Sequence, residues 1–231
     1  MSPTSGVIGE AWALYKAHWR HLLTFSFVVY VAVSVIGALL AAVLTWLGTI
    51  IALLLSLVAL FWLQAALVKA VDDVRDGRAD LSLGETFAAA REHLSAVLVA
   101  GILAAIGIIV GLILVIVPGL VLMTWWAVII PAIVLENRSA GESFSRSRDL
   151  VRGYGWGVFG VIVLMILLLI GFQIVLGLIL SPLADWLQSF VAQIVSGTVT
   201  APFIAVVLTL LYLRLRAAKE PAAAPEPSAP A

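Results

Sequence analysis

A chain of 231 residues, 63% of them hydrophobic and 11% charged, with a mean hydropathy of +1.17, lies outside the range of water-soluble domains, which could not hide so much apolar surface. Its 13 basic side chains balance 13 acidic ones, so the net charge implies no nucleic-acid partner and only the placement of charge carries information. The absence of cysteine excludes disulfides, thiolate chemistry and cysteine-ligated metals.

The first residues, Met1 to Gly6, hold no basic cluster, and the first long apolar run starts only after His21. That run is too long for a signal-peptide core, so an uncleaved first span is expected. Before it, Ser5 to His21 places Ile8, Trp12, Tyr15 and Trp19 at three- and four-residue steps among Glu10, Lys16 and Arg20. This spacing predicts an amphipathic helix with an aromatic stripe at the headgroup boundary. From Leu22 to Val68 there is no charge. The run exceeds one bilayer crossing, and Thr45 to Thr49, with Gly48 among small polar residues, is the expected turn, leaving Trp46 at the far interface. Lys69 to Asp80 sets Asp72, Asp73, Asp76 and Asp80 against Lys69, Arg75 and Arg78. It reads as a solvated loop turning at Asp76-Gly77, and its spacing does not fit a calcium-binding loop.

Ser82 and Glu85 form a capping-box pattern that starts a second amphipathic helix. The uncharged run Leu94 to Leu135 follows. As one helix it would rise roughly 60 Å, about twice the hydrocarbon thickness of a bilayer, so it must turn back, and Pro118-Gly119 is the expected place. Trp125, Trp126 and Pro131 fall in its second span. Ser139 and Glu142 repeat the capping box ahead of Phe144, Arg146, Arg148 and Arg152. Gly153 to Leu180 is a fifth span, Ser181 to Asp185 a turn, and the sixth span ends near Arg214. From Ala217 to Ala231 the Pro/Ala-rich tail is expected to be disordered.

One pattern precedes each pair of spans: Gly, Glu, any residue, an aromatic, three residues, a base. It occurs at Gly9-Glu10, Trp12 and Lys16, at Gly84-Glu85, Phe87 and Arg91, and at Gly141-Glu142, Phe144 and Arg148. The expected architecture is therefore all-α, with six transmembrane helices as three hairpins, each preceded by a cytoplasmic interfacial helix. The repeat-like modules span about residues 5–68, 82–135 and 139–213 within a domain of residues 1–216. The glutamate suits the positive end of each short helix, the base suits its negative end and an anionic lipid surface, and the aromatic is expected to face acyl chains. Every Lys and Arg flanks the spans on one side, the other side having only Asp185. The positive-inside rule then puts both termini in the cytoplasm of an inner-membrane protein.

Chemistry is harder to find. No span carries an interior ionisable residue, which argues against a proton-coupled pump. Gln64, Gln173 and Gln193 are the strongest polar groups and are expected in interhelical hydrogen bonds, with a substrate path as the alternative. Gly155 to Gly160 matches a dinucleotide fingerprint as a string but enters a membrane span. Gly107 and Gly111 suit close helix packing. His18 and His21 lack a third metal ligand at useful spacing. The Asn137-Arg138-Ser139 acceptor lies on the cytoplasmic side and should be unmodified. No cofactor, metal or catalytic set is implied.

The segment Gly111 to Gly160 resembles the bacterial membrane domain attached to some glycerophosphodiester phosphodiesterases and found alone in many six-span inner-membrane proteins. The likeness rests on Pro118-Gly119, on Pro131 followed by Leu135-Glu136, and on Ser145 to Arg148 with the glycine- and aromatic-rich entry to the next span. It implies a membrane domain without the hydrolase and carries over no catalytic residue. The expected function is a non-enzymatic scaffold or lipid-contacting component, its partners membrane lipids, with a homo-oligomer left open and a permease for a small amphipathic solute as the alternative. Arg146, Arg148, Arg152, Lys16 and Arg91 are the candidate contacts to anionic lipid.

Overall fold

The computed structural model describes residues 2–75 and 81–220. Among these there are nine helices and no strand: α1 (Val7–Ala17), α2 (Trp19–Val74), α3 (Leu83–Arg91), α4 (Leu94–Leu114), α5 (Ile116–Trp125), α6 (Ile129–Glu136), α7 (Ala140–Val151), α8 (Gly155–Leu180) and α9 (Asp185–Lys219). Five stretches are long and apolar enough to cross a membrane: α2, α4, α5 with α6, α8 and α9.

The 56 residues of α2 are not one rod, because Thr45 leaves the helical region at φ 51° and ψ −125°. A Cβ on Gly37 would lie 3.6 Å from that of Ala52, whereas 15 residues of straight helix would separate them by about 22 Å. The chain therefore doubles back at Thr45, and Gly48 packs onto the Leu40 carbonyl where no side chain fits. The next reversal falls at Val115, which is extended between α4 and α5. This is three residues before the Pro118-Gly119 expected from the sequence. Pro118 stands in the first turn of α5, where its missing N–H costs nothing. Gly119 instead serves close approach, since a Cβ on Gly111 would sit 3.0 Å from the Gly119 Cα. The α8–α9 turn lies at residues 181–184.

Lys69 to Val74, read in the sequence as loop, is the end of α2. Leu67, Ala70, Val71 and Val74 are buried at helical spacing and carry the helix past the charges. The Asp76-Gly77 turn lies outside the described residues. At the other end, α9 runs to Lys219, so Ala217 to Lys219 are helical and not the start of a tail; residues 221–231 lie outside the described residues.

Two prolines shape the spans. Pro131 would clash with the carbonyl four residues back, and the chain leaves the helix at Trp126 to Val128, splitting the expected single span into α5 and α6. Pro202 lies inside α9 and cannot donate to the Thr198 carbonyl. The Tyr15 hydroxyl donates to the adjoining Val199 carbonyl at 3.1 Å.

Burial concentrates at the charged end of the bundle. Leu22, Phe25, Leu63, Leu67, Val128, Leu150, Leu211 and Tyr212 form one core, and Ala65, Val68, Ala90, Val97, Ile129 and Ile133 a second beside it. The opposite halves splay, with Leu39, Val43, Trp46, Ile113, Leu178 and Trp186 all exposed. Such a continuous apolar belt is suited to hydrocarbon and not to water.

The three short helices dock in a closed order. Helix α3 packs on α2, α7 on α4, α5 and α6, and α1 on α9. Each rests on the pair of spans before it, and α1, with none before it, takes the last.

Candidate functional site

Both expected capping boxes form. Ser82 accepts from the Glu85 N–H and Ser139 from the Glu142 N–H, each glutamate reaching back to the serine N–H. The serine hydrogen bonds hold both carboxyls below the usual range. Helix α1 lacks the box and starts after Gly6 at φ 73°.

The repeat pattern is legible in three dimensions, but its docking residue is not the aromatic. The residue after each glutamate (Ala11, Thr86, Ser143) is fully buried, and the one four further on (Tyr15, Ala90, Ser147) is buried as well. The aromatics pack against rings of the bundle: Trp12 lies 6.2 Å from Phe203, Phe87 5.4 Å from Trp62, and Phe144 5.0 Å from Trp126, centroid to centroid. Each aromatic thus has a ring of the bundle as a neighbour, and half of Trp12 is exposed.

Ser147 occupies the break between α5 and α6. Its hydroxyl donates to the Trp125 carbonyl at 2.7 Å and accepts the Val128 N–H at 3.3 Å. One side chain thereby satisfies two backbone groups that the broken helix leaves without partners. Tyr15 holds the same place in the pattern and caps Val199 beside Pro202. Burial pushes its phenol up to about 12, so it remains a donor. In the middle module Ala90 stands there, and the bond runs the other way, from the Trp62 indole to the Phe87 carbonyl at 3.1 Å.

At the charged end, Glu136 closes α6 and gathers donors from three directions. Arg146 pairs with it at 2.6 Å, Arg138 at 2.5 Å, and the Tyr212 hydroxyl donates to it at 2.5 Å, with Arg216 at 3.9 Å. Arg146 also reaches Glu220 at 2.8 Å. The hydrogen bond to Glu136 raises the Arg146 guanidinium far above its ordinary value, against the opposing effect of burial. Asn137 follows at φ 52°, turning the chain back so that α7 lies beside α6. Arg214 bonds the Ser5 carbonyl at 2.6 Å and pairs with Glu10, tying α9 to α1.

The five candidate lipid contacts therefore separate. Arg146 is engaged by two carboxylates. Lys16, Arg91, Arg148 and Arg152 are exposed. Lys16 lies 5.7 Å from the Trp12 ring centroid, and Arg148 lies 4.4 Å from that of Trp125.

Other sequence candidates fall elsewhere. Gln173 and Gln193 are exposed and Gln64 is half-buried, and none of them contributes to the interhelical bonds described above. Gly107 packs as expected, a Cβ there lying 2.7 Å from the Trp126 ring. Gly155 opens α8 with no strand before it among the described residues. His18 falls at the α1–α2 junction and His21 lies edge-on to Phe25 at 4.9 Å. Among the described residues no group of three His, Asp or Glu side chains is placed to hold a metal.

Two grooves open between the helices. One, of about 560 Å³, is lined by Ile8, Trp12, Leu168, Phe172 and Phe203 of α1, α8 and α9. The other, of about 760 Å³, is lined by Val117, Leu120, Trp125, Tyr154, Trp156 and Phe159 between α5 and the start of α8. Both are of small-ligand size; the first is almost wholly apolar, whereas the second is mainly apolar with Ser2 and Thr124 also in its lining. Comparison with protein-family models, with curated proteins and with solved structures gives no match for this chain.

Proposed function

We propose that this is a non-catalytic, lipid-binding protein of the cytoplasmic (inner) membrane. In this reading α2 contributes two crossings, α4 and α5–α6 two, and α8 and α9 two, making three hairpins. Both termini and the short helices α1, α3 and α7 lie on the cytoplasmic side. The reading is supported by the apolar belt, by the reversals at Thr45 and Val115, and by the confinement of Lys and Arg to one end. The likeness of Gly111 to Gly160 to the membrane domain of certain phosphodiesterases agrees with a membrane module that lacks the hydrolase.

The observation that carries the lipid reading is the pair of apolar grooves between candidate spans, bordered by aromatic side chains. Such mainly apolar walls suit acyl chains, and the smaller groove offers an aqueous solute almost nothing to hydrogen-bond. The test is purification in native-lipid discs followed by mass spectrometry of what is bound. Defined phospholipids at reproducible stoichiometry are expected, and a protein that emerges lipid-free would overturn the proposal. Reporter fusions near residues 76 and 137 should both report cytoplasm.

A permease is the second reading, favoured by one observation. The hydroxyls of Ser26, Ser34 and Thr198 are buried without hydrogen-bond partners on α2 and α9, which pack against each other. A polar seam of that kind lies ready for water or a small solute. Solute flux in liposomes separates the two, since a lipid-binding scaffold gives none.

A further inference from the structure

Among the described residues, four cations are ion-paired with carboxylates, four lie over aromatic rings (Lys16, Arg20, Arg148 and Lys219), and the others do neither. Arg138, Arg146, Arg214 and Arg216 are ion-paired with Glu136, Glu220 or Glu10. Arg148 and Lys219 instead lie over aromatic rings, the Arg148 guanidinium 4.4 Å from the Trp125 centroid and the Lys219 ammonium 6.0 Å from that of Tyr154. Neither has a carboxylate within 4.0 Å among the described residues. Trp125 and Tyr154 are both walls of the larger groove. Uncompensated positive charge therefore stands behind the aromatic walls of an apolar groove of about 760 Å³.

We propose that this groove holds a single anionic phospholipid, an acyl chain lying between α5 and α8 and the phosphate drawn to Arg148 and Lys219. The inference rests on the lipid-binding reading above and gives it a place. Three features select this occupant. The walls Val117, Leu120 and Phe159 offer a chain dispersion contacts, and the lining is mainly apolar, with Ser2 and Thr124 its hydroxyl side chains. Trp and Tyr at the edge suit the depth at which headgroup meets hydrocarbon. Two cations that pair with no carboxylate among the described residues favour a lipid with net negative charge over a zwitterionic one. Arg146, two residues before Arg148, cannot contribute, because Glu136 and Glu220 occupy it.

A groove-filling variant is available that leaves the packing intact. A Cβ on Gly155, a lining residue, meets nothing within 4 Å, so a side chain can start there without a clash, and Gly155→Phe adds bulk at the groove wall. The experiment uses the full chain reconstituted with equal phosphatidylglycerol and phosphatidylcholine, extracted gently, and weighed intact with its bound lipid. The wild type should retain one phosphatidylglycerol per chain in preference to phosphatidylcholine. Arg148→Gln with Lys219→Gln should lower that retention at least tenfold. Gly155→Phe should abolish it at an unchanged melting temperature. Millimolar inorganic phosphate should not displace the lipid, and displacement would mark a free-anion site and overturn the proposal. Wild-type retention in both variants would overturn this assignment alone, leaving lipid binding to be placed elsewhere. A wild type that retains no phospholipid would remove the broader reading as well.

Discussion

Ser147 shows how much can rest on one hydroxyl. It satisfies a carbonyl and an N–H released where Pro131 breaks the span, 16 residues before it in the chain. Ser147→Ala is expected to destabilise by about 1–3 kcal/mol, the cost of buried backbone groups left without partners, measured as a drop in melting temperature in lipid discs. Glu136→Gln is expected to cost roughly 2–4 kcal/mol, because Arg146 loses its principal counter-charge in a largely buried position. Gln173→Leu and Gln193→Leu, at exposed positions, should change stability by less than about 0.5 kcal/mol. Some of this was legible in the sequence and some was not. The capping boxes at Ser82 and Ser139 are local, three residues from serine to glutamate, and could be read directly. The pairing of Glu136 with Arg146 and Tyr212 depends on α7 folding back after Asn137, which no local spacing announces.

The element scale repeats that division. The reversals near Thr45 and after Leu180 were marked by small polar residues and proline, and they lie where those residues stand. The reversal at Val115 did not, because a proline in a first helical turn breaks nothing, and the glycine beside it serves packing. The short helices show the same thing: their aromatic was the visible signal, yet the residue before it is the one fully buried. His93 gives these helices a measurable pH dependence. Burial, then the charge of Lys69, lowers its pKa, with Glu92 opposing. The folded state therefore prefers the neutral ring, and the unfolded chain takes up a proton first as pH falls below the ordinary imidazole value of about 6.5. Stability should be full above that pH and decline as pH drops toward the lowered folded value. His93→Leu, giving the position two residues after the pattern's base Arg91 the leucine that stands two residues after Arg148 at Leu150, should flatten that decline when melting temperature is followed from pH 7.5 to 5.

At the scale of the whole molecule, the long uncharged runs anticipated an all-helical chain, and five of its stretches are long and apolar enough to cross a membrane. The order in which the short helices dock was not legible, because the pattern that marks them says nothing about which spans receive them. They pass the contact round from one pair of spans to the next, and α1 returns it to α9. Arg214 fastens that return, bonded to the Ser5 carbonyl and paired with Glu10. The start of α1 and the last turns of α9 are thus neighbours, closing the round of contacts. A gene rearranged so that a linker joins Glu220 to Ser2, keeping both the Ser5 and Glu220 contacts, with fresh ends opened between Val74 and Leu81, should yield a protein that inserts and melts like the parent. Equal yields after membrane extraction and superimposable melting curves would bear that out, and loss of the extracted product would show that the order of synthesis matters after all.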